Sequence, residues 1–347
     1  MNHKIANHKI IVAGCGMMSD TWIQIAQARQ DCQIVALVNP TPAPAQERIQ
    51  KYGLTANIYP NIHEALAAEE ANLVFDLTPP EFHYEVVTAA LQAGCHVFGE
   101  KPMSDTLENA EKMVQMADQT GREYFLMQNR RYLAEIIALR DYLQAKSLGD
   151  IGQISANFQL DPHFGGFREA IDSPLIADMA IHTFDAARFI TGKNPVSVYC
   201  HEFNPSWSWY KGNASAVCIF EMEDGSVFDY RGSWCANGLN TSWESEWRIA
   251  CEKGAAYWDG HHTLHYDLTS TGPPKTGLAS ENEITANLTP IPFAHSQLSG
   301  HALCVADMFD ALENGTRPST DCRDNIHSIR MVYKALESAR SGKVVGL

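Results

Sequence analysis

Between Lys9 and Gln128 short apolar runs alternate with longer stretches whose apolar residues recur at helical spacing. The runs are Lys9–Ala13, Gln33–Val38, Asn72–Leu77, Cys95–Glu100 and Glu123–Gln128. Most are continuously apolar rather than alternating, as strands buried on both faces of a parallel sheet should be. Helices are expected at Met18–Arg29, Pro42–Tyr52, Ile62–Glu69, Glu81–Ala93 and Leu107–Thr120. Gly53, Gly94 and Gly121 stand just past three of them, where a left-handed C-cap is wanted. Strand and helix in strict alternation predict a doubly wound α/β sheet.

After a further helix at Leu133–Lys146 the texture changes. Ile151–Leu160, Val196–Phe203, Ala214–Glu221, Ser226–Trp234 and Glu246–Ala250 carry β-branched and aromatic residues in partly alternating order, and read as strands. Glu223-Asp224-Gly225-Ser226 reads as a hairpin turn between two of them. One helix, Leu175–Thr191, interrupts the strands, and two more, Ser296–Asn314 and Arg323–Ser341, close the chain. Thr269–Asn287, rich in Thr, Gly, Pro and Ser, is expected to be a loop. Residues 1–130 are therefore read as one domain and 131–347 as a second of α+β type.

Composition narrows the partners. The 347 residues hold 26 Lys and Arg against 41 Asp and Glu, a formal charge of 26 − 41 = −15, which repels nucleic acid and anionic membrane surfaces. With 45% apolar and 19% charged residues the chain can bury a core, so disorder is excluded. Nine cysteines, an odd number without a C-x-x-C pair, suit reduced thiols, and Met1–Lys9 has no apolar leader segment. A cytoplasmic protein is expected. No metal is expected either: His261-His262-Thr263-Leu264-His265 has no acid or cysteine at a convincing ligand spacing.

Chemistry concentrates at strand ends. The first strand runs into Gly14-Cys15-Gly16-Met17-Met18-Ser19, a G-x-G-x-x-S form of the dinucleotide fingerprint, whose glycines permit a tight turn and close approach of a pyrophosphate to a helix N-terminus. Asn39 stands at the end of the second strand, where an acid commonly grips the adenine ribose. It can still hydrogen-bond the hydroxyls, and no arginine follows directly to attract a 2′-phosphate. NAD is the expected cofactor, with NADP as the alternative. Thr78-Pro79-Pro80 and Glu100-Lys101-Pro102 follow later strands, at the edge where open α/β sheets bind ligands. Lys101 there could favour deprotonation of a substrate hydroxyl. In the interrupting helix Asp178 and His182 stand at i, i+4, a spacing that would let a carboxylate orient an imidazole as proton acceptor. Asp185 and Arg188 read as a structural ion pair.

The order G-x-G-x-x-S, T-P-P-x-x-H (Thr78 to His83), E-K-P and D-x-x-x-H-x-x-D resembles the Gfo/Idh/MocA oxidoreductase family. The likeness runs through Asn129-Arg130-Arg131 to Gly315-Thr316-Arg317-Pro318 near the end. It implies an N-terminal Rossmann domain and a C-terminal α+β domain with a large, open, mostly antiparallel sheet, often used to form a homodimer or homotetramer. It also implies a carbohydrate or polyol substrate and NAD(P)-dependent oxidation or reduction. By resemblance Lys101, Asp178 and His182 form the catalytic group. Gly14, Gly16, Met17, Met18, Asn39, Thr78, Pro79, His83, Glu100 and Lys101 are assigned to the cofactor. His163 and Arg168, in a glycine-containing loop, and Trp234, one of six tryptophans between 207 and 258, join the catalytic group in holding substrate. Two other readings use the same residues. One is redox-assisted glycoside cleavage with tightly bound NAD, and the other a non-catalytic nucleotide-binding protein.

Overall fold

The structure, a computed structural model, describes residues 7–268, 288–294 and 296–347, so the expected loop Thr269–Asn287 lies outside the described residues. Along the chain come β1 (His8–Ala13), α1 (Met17–Gln27), β2 (Cys32–Val38), α2 (Pro42–Tyr52), β3 (Asn57–Tyr59), α3 (Ile62–Ala68), β4 (Leu73–Asp76), α4 (Pro80–Gln92), β5 (His96–Gly99), α5 (Leu107–Thr120) and β6 (Tyr124–Leu126). A 3₁₀ turn (Asn129–Tyr132) leads to α6 (Ala134–Gln144), β7 (Ile151–Gln159), the single turn α7 (Phe167–Ala170), a π-helical turn (Leu175–Met179) and α8 (Ala180–Thr191). Then follow β8 (Pro195–Phe203), β9 (Ser215–Met222), β10 (Val227–Ser233), β11 (Glu246–Cys251), β12 (Gly254–Trp258), β13 (Leu264–Leu268) and β14 (Thr289–Pro290). The chain closes with α9 (Gly300–Asn314), α10 (Cys322–Ser341) and β15 (Val345–Gly346).

Two compact units result, Met1–Asn129 with Leu298–Ile329, and Arg130–Gln297 with Arg330–Leu347. The first holds a six-stranded sheet in the order β3-β2-β1-β4-β5-β6, with every pairing parallel. Register explains its core. Phe75, Phe98 and Phe125 pair across β4, β5 and β6, and their rings stack at 5.9 and 5.6 Å. Phe309 of α9 closes edge-on over Phe75 and Phe98.

That packing corrects one expectation, because Leu298–Ile329 was assigned with the second half and clusters instead with the first unit. The physical reason is a shared core and a shared backbone. Besides Phe309, Leu126 N–H donates to Thr320 O and Phe125 bridges Asp321. The unit boundary then falls inside α10.

The second unit carries a nine-stranded sheet in the order β14-β13-β12-β11-β7-β10-β9-β8-β15, antiparallel except for β7 with β10. Side chains alternate as a one-sided sheet requires: Ala216, Cys218, Phe220 and Met222 of β9 are buried while Val217 and Ile219 face out. Phe184 of α8 meets Phe220 edge-on at 4.9 Å and Tyr230 at 5.3 Å, which seats the helix on the inner face. Arg131 clamps Asp185 of α8 through two contacts of 2.6 and 2.7 Å, both side chains buried. The expected ion pair of Asp185 with Arg188 is also present, at 3.9 Å, so Asp185 faces two guanidinium groups. Among the described residues no helix is long and apolar enough to cross a membrane.

Candidate functional site

In the first unit the strand order reverses between β1 and β4, and the glycine turn opens there. Gly14 has φ +92, and a Cβ on it would lie 2.6 Å from Leu77 O and 2.8 Å from Thr78 N. The turn therefore sits directly on the backbone that follows β4. Gly16 heads α1 with nothing within 4 Å of where its Cβ would be, the room that a pyrophosphate at a helix N-terminus needs. Met17 beside it is exposed and Met18 half-buried. Ser19, in place of the third glycine, is fully buried, its hydroxyl donating to Gly16 O at 2.6 Å.

Asn39 does something other than wait for a ribose. Its Oδ1 accepts from Cys15 N–H at 3.3 Å and its Nδ2 donates to Thr41 O at 2.8 Å, so the carboxamide ties the two strand-end loops together. Arg48 of α2, which no motif marks, donates to Gly16 O and is held by Asp20 and Glu47.

His83 was assigned to the cofactor, but it is 1% exposed, and its Nδ1 lies 2.7 Å from Asp76 Oδ2. Asp76 Oδ1 in turn accepts from Thr78 Oγ1 at 2.6 Å and Thr78 N–H at 3.2 Å. His83 thus acts on the Thr78-Pro79 turn through Asp76 and does not reach outward itself. Burial works against its protonation, but the Asp76 carboxylate, helped by Glu100 and Glu81, outweighs burial and raises its pKa. Asp76 was missed, although a signal existed: it is the one charge in the buried run Asn72–Leu77.

At the end of β5, Glu100 is 8% exposed; its Oε1 accepts from Trp22 Nε1 at 2.8 Å and its Oε2 from Lys101 N–H at 3.2 Å. Glu100 thereby supports the strand end from a buried position. The Lys101–Pro102 peptide is cis. His301, in the first turn of α9, has its pKa lowered chiefly by burial, with the charges of Glu100 and Lys101 also acting on it.

In the second unit the expected helix at Leu175–Thr191 begins as a π-helical turn, with Ala180 N–H donating to Leu175 O. The wider turn inserts one residue into the helical register between Asp178 and α8, a distortion common at functional sites. Arg168 Nε lies 2.7 Å from Asp178 Oδ2, joining two residues that the sequence had singled out separately. His182 stands partly buried in the first turn of α8.

Around this pair lies an aromatic group. His163 stacks on Trp209 at 3.7 Å, and Arg168 lies over the Phe164 ring at 5.2 Å. Trp234 is 1% exposed and packed against Phe164 and Tyr210, so its ring is core and offers no face to a sugar. The histidines at 261 and 262 fall in the β12–β13 turn. His8, Asp31 and Glu313 bring ligand-type atoms within 4.8 Å of one another, but Arg29 pairs with both carboxylates and supplies the positive charge.

Residues 8–128 match the model of the GFO_IDH_MocA oxidoreductase family with its NAD-binding Rossmann fold, and residues 136–257 match the GFO/IDH/MocA C-terminal domain. The chain belongs to the Gfo/Idh/MocA family. One Gfo/Idh/MocA relative is the D-glucoside 3-dehydrogenase of Escherichia coli (strain K12), 30% identical over 202 residues that cover 56% of this chain and 57% of that protein. Another is the D-apiose dehydrogenase of Paraburkholderia graminis, 25% identical over 354 residues, or 99% of this chain and 90% of that one. Among solved structures, an oxidoreductase from Agrobacterium radiobacter in complex with NAD+, L-tartaric acid and magnesium superposes with a TM-score of 0.84 over 98% of both chains. At 18% identity that is a likeness of fold. The chain is thus an NAD-binding oxidoreductase of the Gfo/Idh/MocA type.

Proposed function

We propose that the protein oxidises a secondary hydroxyl of a sugar, glycoside or inositol. The observation that carries this reading is the set of proton-handling side chains beyond anything nucleotide binding requires. Lys101 stands at the carboxyl end of β5 on a strand end fixed by Glu100, Asp178 lies in the π-helical turn, and His182 lies in the first turn of α8 that follows it. Lys101 is also assigned to the cofactor, but a protein that only held a nucleotide would need neither Asp178 nor His182.

Bound NAD would supply the acceptor for the hydride of the carbinol carbon. The work left to this chain is the hydroxyl proton. The Lys101 ammonium hydrogen-bonds the reacting oxygen and stabilises its developing negative charge, and His182 accepts the proton. Asp178, held by Arg168, positions the base. Lys101→Ala and His182→Ala should each lower kcat by roughly 10²–10⁴-fold while NAD still binds. Full turnover in either folded variant would end the assignment.

NAD is preferred over NADP in this reading, because Asn39 carries no charge to draw a 2′-phosphate and the nearby Arg48 has its charge balanced by Asp20 and Glu47. The first assay follows nicotinamide absorbance with both cofactors against free sugars, inositols and glycosides, with products separated alongside. Sustained NADH formation supports the proposal. Glycoside cleavage without net cofactor change contradicts it.

Self-association as a homodimer or homotetramer belongs to the same reading. Tyr199, Phe203, Val217 and Ile219 expose apolar surface on neighbouring strands of the open sheet face. A monomer at micromolar concentration by sedimentation would refute it.

A further inference from the structure

Near the Arg168–Asp178 pair the second unit has a rim of aromatic rings that the hydroxyl chemistry does not use. Phe164 is 42% exposed, Trp243 44% and Trp207 62%. Phe164 and Trp243 lie 6.1 Å apart, and Trp207 is fixed by its indole N–H donating to Cys235 O, next to the buried Trp234. Leu239, fully exposed, tops the adjoining loop, which is fastened by Asn240 to Asp161 and by Thr241 N–H to Gln159 O. One guanidinium links rim to pair: Arg168 lies over the Phe164 ring and holds Asp178.

Exposed rings fixed in this way cost free energy in water unless something covers them. Three observations describe the occupant. Arg168 has its charge balanced by Asp178, which disfavours a phosphate or a uronate there. Two hydrogen-bonding side chains beside the rings already have partners, Asn240 on Asp161 and Glu169 on Gly165 N–H, which leaves less for the hydroxyls of a second sugar ring. The rings themselves match a flat, apolar group about one aromatic ring in size.

We infer that the substrate is a glycoside with a neutral aromatic aglycone, which stacks on Phe164 and Trp243 while its sugar ring lies toward Asp178. This rests on the sugar-oxidoreductase reading above, and it adds the part of the substrate that the reaction leaves unchanged.

The test compares methyl β-D-glucopyranoside, phenyl β-D-glucopyranoside and cellobiose by calorimetric titration into the NAD-loaded full chain, with NADH formation read in parallel. The phenyl glycoside should bind about tenfold more tightly than the methyl one. That ratio should fall toward one in Phe164→Ala and in Trp243→Ala, with the NAD affinity of each variant serving as the check on folding. Equal affinities, no binding of either glycoside, or a preference that survives both substitutions would overturn the inference. So would cellobiose binding as tightly as the phenyl glycoside, which would make the rim a sugar subsite. A change in sedimentation coefficient in the two variants with no change in the ratio would make it a subunit contact and overturn the inference equally. The two readings fail separately: an aryl preference without NADH removes the proposed glycoside oxidation, whereas NADH formed equally from both glycosides removes only the rim.

Discussion

His83 Nδ1 and Asp76 Oδ2 lie 2.7 Å apart in a buried pair where β4 gives way to α4, and the other Asp76 oxygen holds Thr78. Since Gly14 rests on Leu77 and Thr78, the carboxylate also fixes the seat of the glycine turn. Asp76→Asn leaves His83 buried without its counter-charge and should cost about 3–5 kcal/mol of stability. His83→Asn keeps a donor for Asp76 and should cost less. The pH sign is definite. His83 has its pKa raised, so the pair contributes fully below about 6.5 and is lost as pH rises through the folded value. Chemical denaturation from pH 5 to 9 should show that decline in the wild type, and a flatter profile in His83→Asn.

How much of this was legible in the sequence varies with the range of the interaction. Continuous apolar runs disclosed five parallel strands, because burial on both faces leaves no room for polar alternation. The three-residue β3 escaped, since Asn57–Tyr59 pairs along one edge and is largely exposed or half-buried. Motifs marked Gly14, Lys101 and Asp178, but not their partners. Arg168 meets Asp178 across ten positions and a loop, and Arg131 meets Asp185 across 54, separations at which no periodicity carries information. Asn39 and His83 were recognised as important, but not their protein partners Cys15, Thr41 and Asp76, because a motif gives position along the chain and not the direction of a side chain.

Gly14 offers a direct check of the turn. An alanine there would hold a Cβ 2.6 Å from Leu77 O at a φ of +92, where L-residues are strained. Backbone, not a yielding side chain, stands in the way. Gly14→Ala should destabilise the protein by at least about 2 kcal/mol and weaken NAD by tenfold or more. Gly16→Ala, with open space around it, should fold normally and lose NAD affinity alone. Thermal melts with and without NAD separate the two effects.

Glu202 is a carboxyl that would be better uncharged. Burial raises its pKa to about 7, with the Ser173 hydroxyl and the Arg340 charge only partly opposing the shift. A raised acid pKa means that stability is present below the unfolded value and is lost as pH rises through about 7. Glu202→Gln keeps the bond from Ser173 and removes the charge. It should raise Tm by about 2–5 °C at pH 8.5 and change little at pH 4.5. An equal effect at both pH values would contradict the assignment.

The link from Arg168 to Asp178 makes its own claim about catalysis. Asp178 sits in a π-helical turn, whose hydrogen-bonding is poorer than that of an α-helix, so its side chain owes its direction to what it touches. The Arg168 guanidinium holds it from the α7 side. If Asp178 orients the base, Arg168 is a positioning residue for it, and removing either should damage the same step. Arg168→Ala should lower kcat by about 10–100-fold with NAD affinity unchanged, and Asp178→Asn should lower it more. In the double variant the losses should fall well short of multiplying, because one interaction has been removed twice. Arg168→Lys should recover part of the rate, since an ammonium supplies the charge without the fixed fork of the guanidinium. Independent, multiplicative effects would instead separate the two residues and leave Arg168 a contact of the Phe164 ring alone.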